Sequence, residues 1–442
     1  MDFIPNTNKD RKEMLKVIGV SSVHELFRDI PKTILLKKEL KIPKSKSELE
    51  LKKHMQELSK KNFVEGISFL GAGAYSHFIP SVVNHIIGKS EFYTAYTPYQ
   101  PEISQGILQA IYEYQTMICE LTGMDVANAS LYDGASALAE SSIMASNITK
   151  RNEIIISSTI HPEYKQVVET YCHFHNINII EIDFSDGVTS IDKLKDKISS
   201  KTAAVLIQNP NFFGCLEDLT EIEKIAHEHK ALLVVSVIAV TSLGILKSPG
   251  SLKADIVVGE GQSLGNPVSF GGPYLGIIAT KHEFMRYIPG RLVGATVDTK
   301  GRRGFILTLQ AREQHIRRER ASSNICSNEA LNALAATVYL STLGKNLKQL
   351  AELCLQKANY LADKLKEAGF EILFDKPFYN EFVVKVKDAK KVNRELLKNN
   401  IIGGFDLSNY YPKLKNCLLF CVTELNTKED IDKLIEVIKK CN

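Results

Sequence analysis

Three stretches of this chain carry residue types that could do chemistry. The first is Phe92-Tyr-Thr-Ala-Tyr-Thr-Pro-Tyr-Gln-Pro-Glu-Ile-Ser104. Its prolines fix φ and its turn formers favour a stiff loop over a strand interior. Tyr93, Tyr96, Thr97, Tyr99, Gln100 and Glu102 then either anchor this loop to the core or present a surface to a ligand or partner, since Tyr joins a large area to a polar tip. The second is the run holding Arg312, His315, Arg317, Arg318 and Arg320. These cations could bind an anion such as a carboxylate. Glu313 and Glu319 could equally neutralise them in a structural or interface ion-pair network, which is the simpler reading. The third is Gly259-Glu-Gly-Gln-Ser-Leu-Gly265, where glycine tolerates close backbone approach. Chains of this size and βα alternation often hold pyridoxal phosphate (PLP) here. A loop lysine carries it, and an acid ending the preceding strand pairs with the pyridine nitrogen. This loop has no lysine, and Ser236 stands where the acid is expected.

Other candidates weaken on inspection. Leu131-Tyr-Asp-Gly-Ala-Ser-Ala-Leu-Ala-Glu140 opens a helix with small residues, where a phosphate would sit. The charge of Asp133 would repel a dianion, so capping by Asp133 or Ser136 is the simpler account. The glycines of Phe69 to His77 do not make a GxGxxG fingerprint. Eight cysteines show no CxxC pair and read as reduced thiols of a cytosolic protein. Cys172-His-Phe-His175 has no second ligand pair with suitable spacing, so no metal site is expected.

The elements that position these groups follow from hydrophobic pattern. Apolar runs at Glu153–Ser157, Asn178–Ile182, Ala203–Ile207, Ala231–Val240, Ala254–Val258 and Tyr274–Ile278 read as strands. Helical patterns at Pro162–Cys172 and Leu219–His229 fall between them, which predicts a mostly parallel sheet covered on both faces. Ser104 is expected to cap a helix from Gln105 to Leu121. The implied organisation is a helical arm over residues 1–65 and a large α/β domain over 66–325. A linker helix with a small α+β domain follows over 326–442. The chain has 55 basic and 51 acidic residues, too balanced to argue for nucleic acid or membrane. The first ten residues show no signal peptide, and the longest apolar run is about half the ~20 residues a bilayer span needs.

Five motifs together resemble one family, the glycine cleavage system P-protein, and in particular its N-terminal half. They are Tyr93 to Gly106, Asn209-Pro-Asn-Phe-Phe-Gly214, Gly259 to Gly265, Gly290-Arg-Leu-Val-Gly294 and Arg312-Glu-Gln-His-Ile-Arg317. The resemblance implies the aspartate-aminotransferase-like PLP fold, fold type I. It implies an enzyme that decarboxylates glycine and passes the aminomethyl group to the lipoyl arm of H-protein. In this family the PLP lysine belongs to the other half or subunit. Registering the loops on Pro267 places Gln262 at the lysine position, and Ser236 falls where the partner carries its acid. Neither can serve, because an amide nitrogen is not nucleophilic and a hydroxyl is no carboxylate. With Asp133 at the phosphate position, three roles are lost. The chain is thus expected to be the non-PLP subunit, inactive alone, pairing with a homologous PLP-bearing subunit as α2β2. The Tyr93 to Glu102 loop would complete the partner's site. Two alternatives stand beside this: a scaffold that only docks H-protein, and an autonomous PLP enzyme using Lys253 or Lys281.

Overall fold

The computed structural model describes residues 6–36, 38, 40–62 and 66–441. Residues 1–5, read for the absence of a leader, and residue 65, read as the end of the arm, lie outside the described residues. The chain divides into two compact units, residues 1–64 and 65–442. In the first, helices α1 (Asn8–Ile18) and α2 (Glu48–Ser59) are each opened by a reciprocal capping box, Thr7 with Asp10 and Ser47 with Glu50. Neither helix contains a buried residue.

The second unit is built on a seven-stranded sheet. Its strands are β1 (Val126–Ala127), β2 (Glu153–Ser157), β3 (Asn178–Ile182), β4 (Thr202–Gln208), β5 (Leu232–Val237), β6 (Ile256–Glu260) and β7 (Gly276–Thr280). Their spatial order is β1-β7-β6-β5-β4-β2-β3. The run from β6 to β3 is parallel, while β7 is antiparallel to β6, and β1, antiparallel to β7, runs again in the direction of the rest. Every residue of β4 and of β6 is buried, as continuous apolar strands covered on both faces must be. Helix α3 (Gln105–Thr122) packs on this body. Helix α4 (Gly134–Thr149) is built from Gly, Ala and Ser with few large side chains, and its first three turns are almost wholly buried. Small residues let that helix lie close to the strands. Helices α5 (Pro162–Phe174) and α6 (Leu219–Glu228) complete the crossovers.

The apolar run to Val240 is shorter as a strand than its composition suggests. The chain leaves β5 after Val237 and makes a tight helical turn at Val240–Gly244, still buried. Burial alone therefore does not mark the strand end. Ser104 stands before α3 without a side-chain hydrogen bond, which corrects the expected cap. Helices α7 (Ala330–Leu343) and α8 (Leu347–Glu367) lead to a four-stranded antiparallel sheet of Glu371–Ile372, Glu381–Lys385, Cys417–Cys421 and Phe405–Asp406, in that order. Its core includes Phe69, Phe382, Phe420 and Leu434. Ile67–Ser68 pairs in parallel with Ile401–Ile402. That two-stranded pairing, with Cys421 N donating to Phe69 O, ties the incoming chain to the C-terminal elements and sends Gly71 to Tyr75 across the C-terminal ends of the large sheet.

Candidate functional site

In parallel sheets ligands bind beyond the strand C-terminal ends. Here that region is closed by the chain's own side chains. Glu260 is the last residue of β6 and is 2% exposed. Its Oε2 accepts from the Gly134 N–H at 2.9 Å, and its Oε1 accepts from the N–H groups of Gln262 and Leu275 at 3.0 Å each. Burial pushes this carboxyl up to about 8, against the three amide donors that favour its charged form. Only glycine allows the approach at 134. A Cβ there would lie 2.6 Å from Tyr164 Oη and 3.1 Å from Glu260 Cβ. Asp133 caps α4, its Oδ1 accepting from Ser136 N at 2.7 Å.

Gln262 is buried, and both ends of its amide are in use. Oε1 accepts from Tyr75 N at 2.9 Å, while Nε2 donates to Tyr75 O at 3.0 Å and Asn266 O at 2.7 Å. The Gly71–Tyr75 segment is held on its other side by Glu381, which accepts from Ala72 N at 2.6 Å and Tyr75 Oη at 2.7 Å. Burial raises the Glu381 carboxyl to about 7. His161 Nε2 donates to Ala72 O at 2.9 Å while Nδ1 accepts from Glu163 N at 3.2 Å, which fixes one neutral tautomer. Burial lowers the pKa of His161, in keeping with that neutral form. Its ring packs against Tyr164 and Phe212, with centroids 4.9 and 4.8 Å away. Ser236 sits on β5 fully buried, paired in register with Gln208 and Val258, and its Oγ has no hydrogen-bond partner among the described residues.

These residues do not fit PLP. Gln262, expected at the lysine position, is an amide committed to Tyr75 and Asn266. Ser236, expected at the acid position, offers a hydroxyl, and the helix N-terminus is taken by Glu260 and Asp133. Lys253 and Lys281 offer no substitute. Lys253 pairs with Glu223 at 3.7 Å, and Lys281 pairs with Asp255, which precedes β6. Both therefore lie at the opposite end of β6 from Gln262, roughly 16 Å away at ~3.3 Å per strand residue.

The aromatic loop and the basic run meet in part. Arg291 Nη2 donates to Tyr99 Oη at 3.0 Å and to Cys326 O at 2.8 Å, with its guanidinium carbon 5.5 Å from the Tyr99 ring. The His315 ring lies edge-on to Tyr99 at 5.8 Å and 3.7 Å from Glu313. Arg312 Nη2 donates to Gly290 O at 2.8 Å, and desolvation lowers its pKa to about 10. Arg317 instead donates to Ala311 O in its own turn and is exposed. Tyr93 and Tyr96 border an apolar groove with Ile107, Leu331 and Leu334; Tyr96 is 85% exposed. Thr97 O accepts from Tyr99 N, while Gln100 and Glu102 are exposed on the same loop. Residues 292–308, adjoining the basic run, form an unanticipated hairpin, Leu292–Val297 with Arg303–Thr308. Its turn signal was Asp298 followed by Gly301, whose φ is +75°.

Glu260 and Arg291 stand inside motifs read from the sequence, but neither they nor Tyr75 and His161 had a role assigned there. A lone acid in a polar loop has no periodicity to flag it. The structure also gathers His77, Cys354 and Glu424, whose donor atoms lie within 4.8 Å of one another. His77 Nδ1 is 2.7 Å from Glu424 Oε2, and the Cys354 thiol donates to the same oxygen at 3.4 Å. These groups serve each other. Among the described residues no helix is long and apolar enough to cross a membrane.

Residues 1–438 match the sequence model of the glycine cleavage system P-protein family. The probable glycine dehydrogenase (decarboxylating) subunit 1 of Desulforamulus reducens is 56% identical over 439 residues, covering 98% of each chain. The protein of the same description from Bacillus subtilis is 53% identical over 438 residues, again 98% of each. A crystal structure described as glycine decarboxylase (P-protein) of the glycine cleavage system, in inhibitor-bound form, matches with TM-score 0.92 and 43% identity over 100% of both chains. An alanine–glyoxylate aminotransferase from Nostoc sp. matches with TM-score 0.59 at 16% identity, over 85% of this chain and 95% of its own, and shares the fold alone. The architecture is that of the fold type I PLP-dependent enzymes, and the chain belongs to the glycine cleavage system P-protein family.

Proposed function

We propose that this chain is the non-PLP subunit of a glycine dehydrogenase (decarboxylating). With a homologous PLP-bearing subunit, as a cytoplasmic α2β2 assembly, it decarboxylates glycine, releases CO2 and passes the aminomethyl group to the lipoyl arm of H-protein. The observation that carries this reading is the closure of the cofactor position by Gln262 and Glu260 within a chain of this family. When bound to the partner, PLP supplies the electron sink for decarboxylation. This chain's part is to hold the surface that completes the partner's site. The Tyr93–Glu102 loop supports that role, because Tyr99 is held from behind by Arg291 and His315 while Tyr93 and Tyr96 remain exposed.

The test is CO2 release from carboxyl-labelled glycine by this chain, by its partner and by the mixture, each with lipoylated H-protein. Release only in the mixture is expected. Equal release by the partner alone would remove the active-site role, and release by this chain alone would overturn the reading.

A further inference from the structure

The closure of the cofactor position has one residue at its centre. We propose that Glu260 is the residue by which this chain excludes a phosphorylated cofactor, its carboxyl group standing in at the α4 N-terminus for the oxygens of a phosphate. The inference rests on the reading of the chain as the non-PLP subunit and deepens it.

The geometry selects the carboxylate form against the pull of burial, because both oxygens of Glu260 accept from backbone N–H groups and its hydrogen bonds include no acceptor for a carboxyl proton. Helix α4 is 16 residues long, and its first N–H, that of Gly134, points toward the C-terminal end of β6. A helix N-terminus attracts negative oxygen through its free amides and its dipole. Here that demand is met internally. Gly134 N donates to Glu260 Oε2, and Ser136 N donates to Asp133 Oδ1. Glu260 takes two further amides, from Gln262 and Leu275. Its oxygens thus collect three backbone donors from three separate segments, as phosphate oxygens would. The missing Cβ at Gly134 leaves room for this and little else. Asp133 adds a charge beside Glu260, so a dianion would meet both a filled position and a repelling neighbour. Restoring a lysine and an acid at 262 and 236 would therefore not restore cofactor binding while Glu260 stays.

The test uses the full-length chain and inorganic phosphate as the probe, with sodium chloride at matched ionic strength. Asp133→Asn keeps a good cap and removes the charge. Glu260→Ala in that background vacates the amides. The double variant is expected to show a saturable phosphate-dependent rise in Tm, about 1.5 °C at ten times the dissociation constant. Wild type and Asp133→Asn alone are expected to respond to phosphate no more than to chloride. A double variant that keeps the wild-type circular dichroism yet gains no phosphate response overturns the proposal. So does phosphate binding by Asp133→Asn alone. Should the double variant not fold, Glu260→Gln decides. Its carbonyl oxygen can serve Gln262 and Leu275, but its NH2 then faces the Gly134 N–H, donor against donor. A lowered Tm is expected, and an unchanged Tm overturns the proposal. These outcomes are separate from glycine turnover by the wild-type mixture, so failure of either reading shows without the other.

Discussion

Gln262 offers a quantitative handle on the closed pocket. Gln262→Ala removes three hydrogen bonds, one accepted from Tyr75 N and two donated to Tyr75 O and Asn266 O. Each buried bond contributes about 1 kcal/mol net, and leaving the Tyr75 N–H without a partner costs about 1–3 kcal/mol. With the small void left behind, a loss of about 3–5 kcal/mol is expected. Gln262→Glu separates the hydrogen-bond account from simple loss of volume. One oxygen of the new carboxyl can accept from Tyr75 N, but the other then faces two carbonyl oxygens and must carry a proton to donate. The folded pKa of this Glu is therefore raised above its unfolded value near 4.3. The folded state binds the extra proton, so stability falls as pH rises from the unfolded toward the folded pKa, by up to ~1.4 kcal/mol per pH unit. Urea unfolding followed by circular dichroism at pH 5 and pH 8 reads both effects. Gln262→Ala within about 0.5 kcal/mol of wild type, a typical surface value, would refute the clamp. So would a Gln262→Glu deficit that does not grow with pH.

Three further outcomes follow from the same geometry. Gly134→Ala places a Cβ 2.6 Å from Tyr164 Oη, so Tm should fall by the equivalent of about 1–3 kcal/mol of overpacking; an unchanged Tm would show that α4 moves freely. Tyr96→Ala removes a side chain that is 85% exposed, so Tm of the lone chain should stay within ~0.5 kcal/mol of wild type while turnover in the mixture falls; unchanged turnover would take Tyr96 out of the partner's site. Glu140 is buried in α4, and desolvation raises its carboxyl to about 7. It binds a proton in the folded state but not in the unfolded state between about pH 4.5 and 7, so it makes wild type lose stability as pH rises through that window. Glu140→Gln should flatten that slope in urea midpoints, and an unaltered slope would contradict the assignment.

The sheet was legible where sequence and local geometry agree. Glu153–Ser157 and Asn178–Ile182 read as strands and are strands, because isoleucine runs bounded by turn residues leave no other way to bury them. The Ala231–Val240 run was overextended, since Ile238 to Val240 are as buried as the strand before them. The 292–308 hairpin was illegible because Gly294 and the exposed Ala295 to Val297 deprive its first strand of an in-out alternation. At the site, the absence of a lysine was plain from the loop itself. What fills its place was not, because Gly134 and Tyr75 lie 126 and 187 residues from the side chains they bind. Only the fold brings them together. The role of Arg291 was illegible for the same reason: its partners Tyr99 and Cys326 are remote in sequence.

The most direct measurement is a PLP titration of the purified chain, followed by visible cofactor absorbance, first alone and then with the PLP-bearing partner. The account predicts no cofactor signal from this chain alone, with signal and glycine decarboxylation appearing only in the mixture. A stable visible signal from this chain alone would mean that Gln262 does not occupy the lysine position, and would contradict the division of roles between the two subunits.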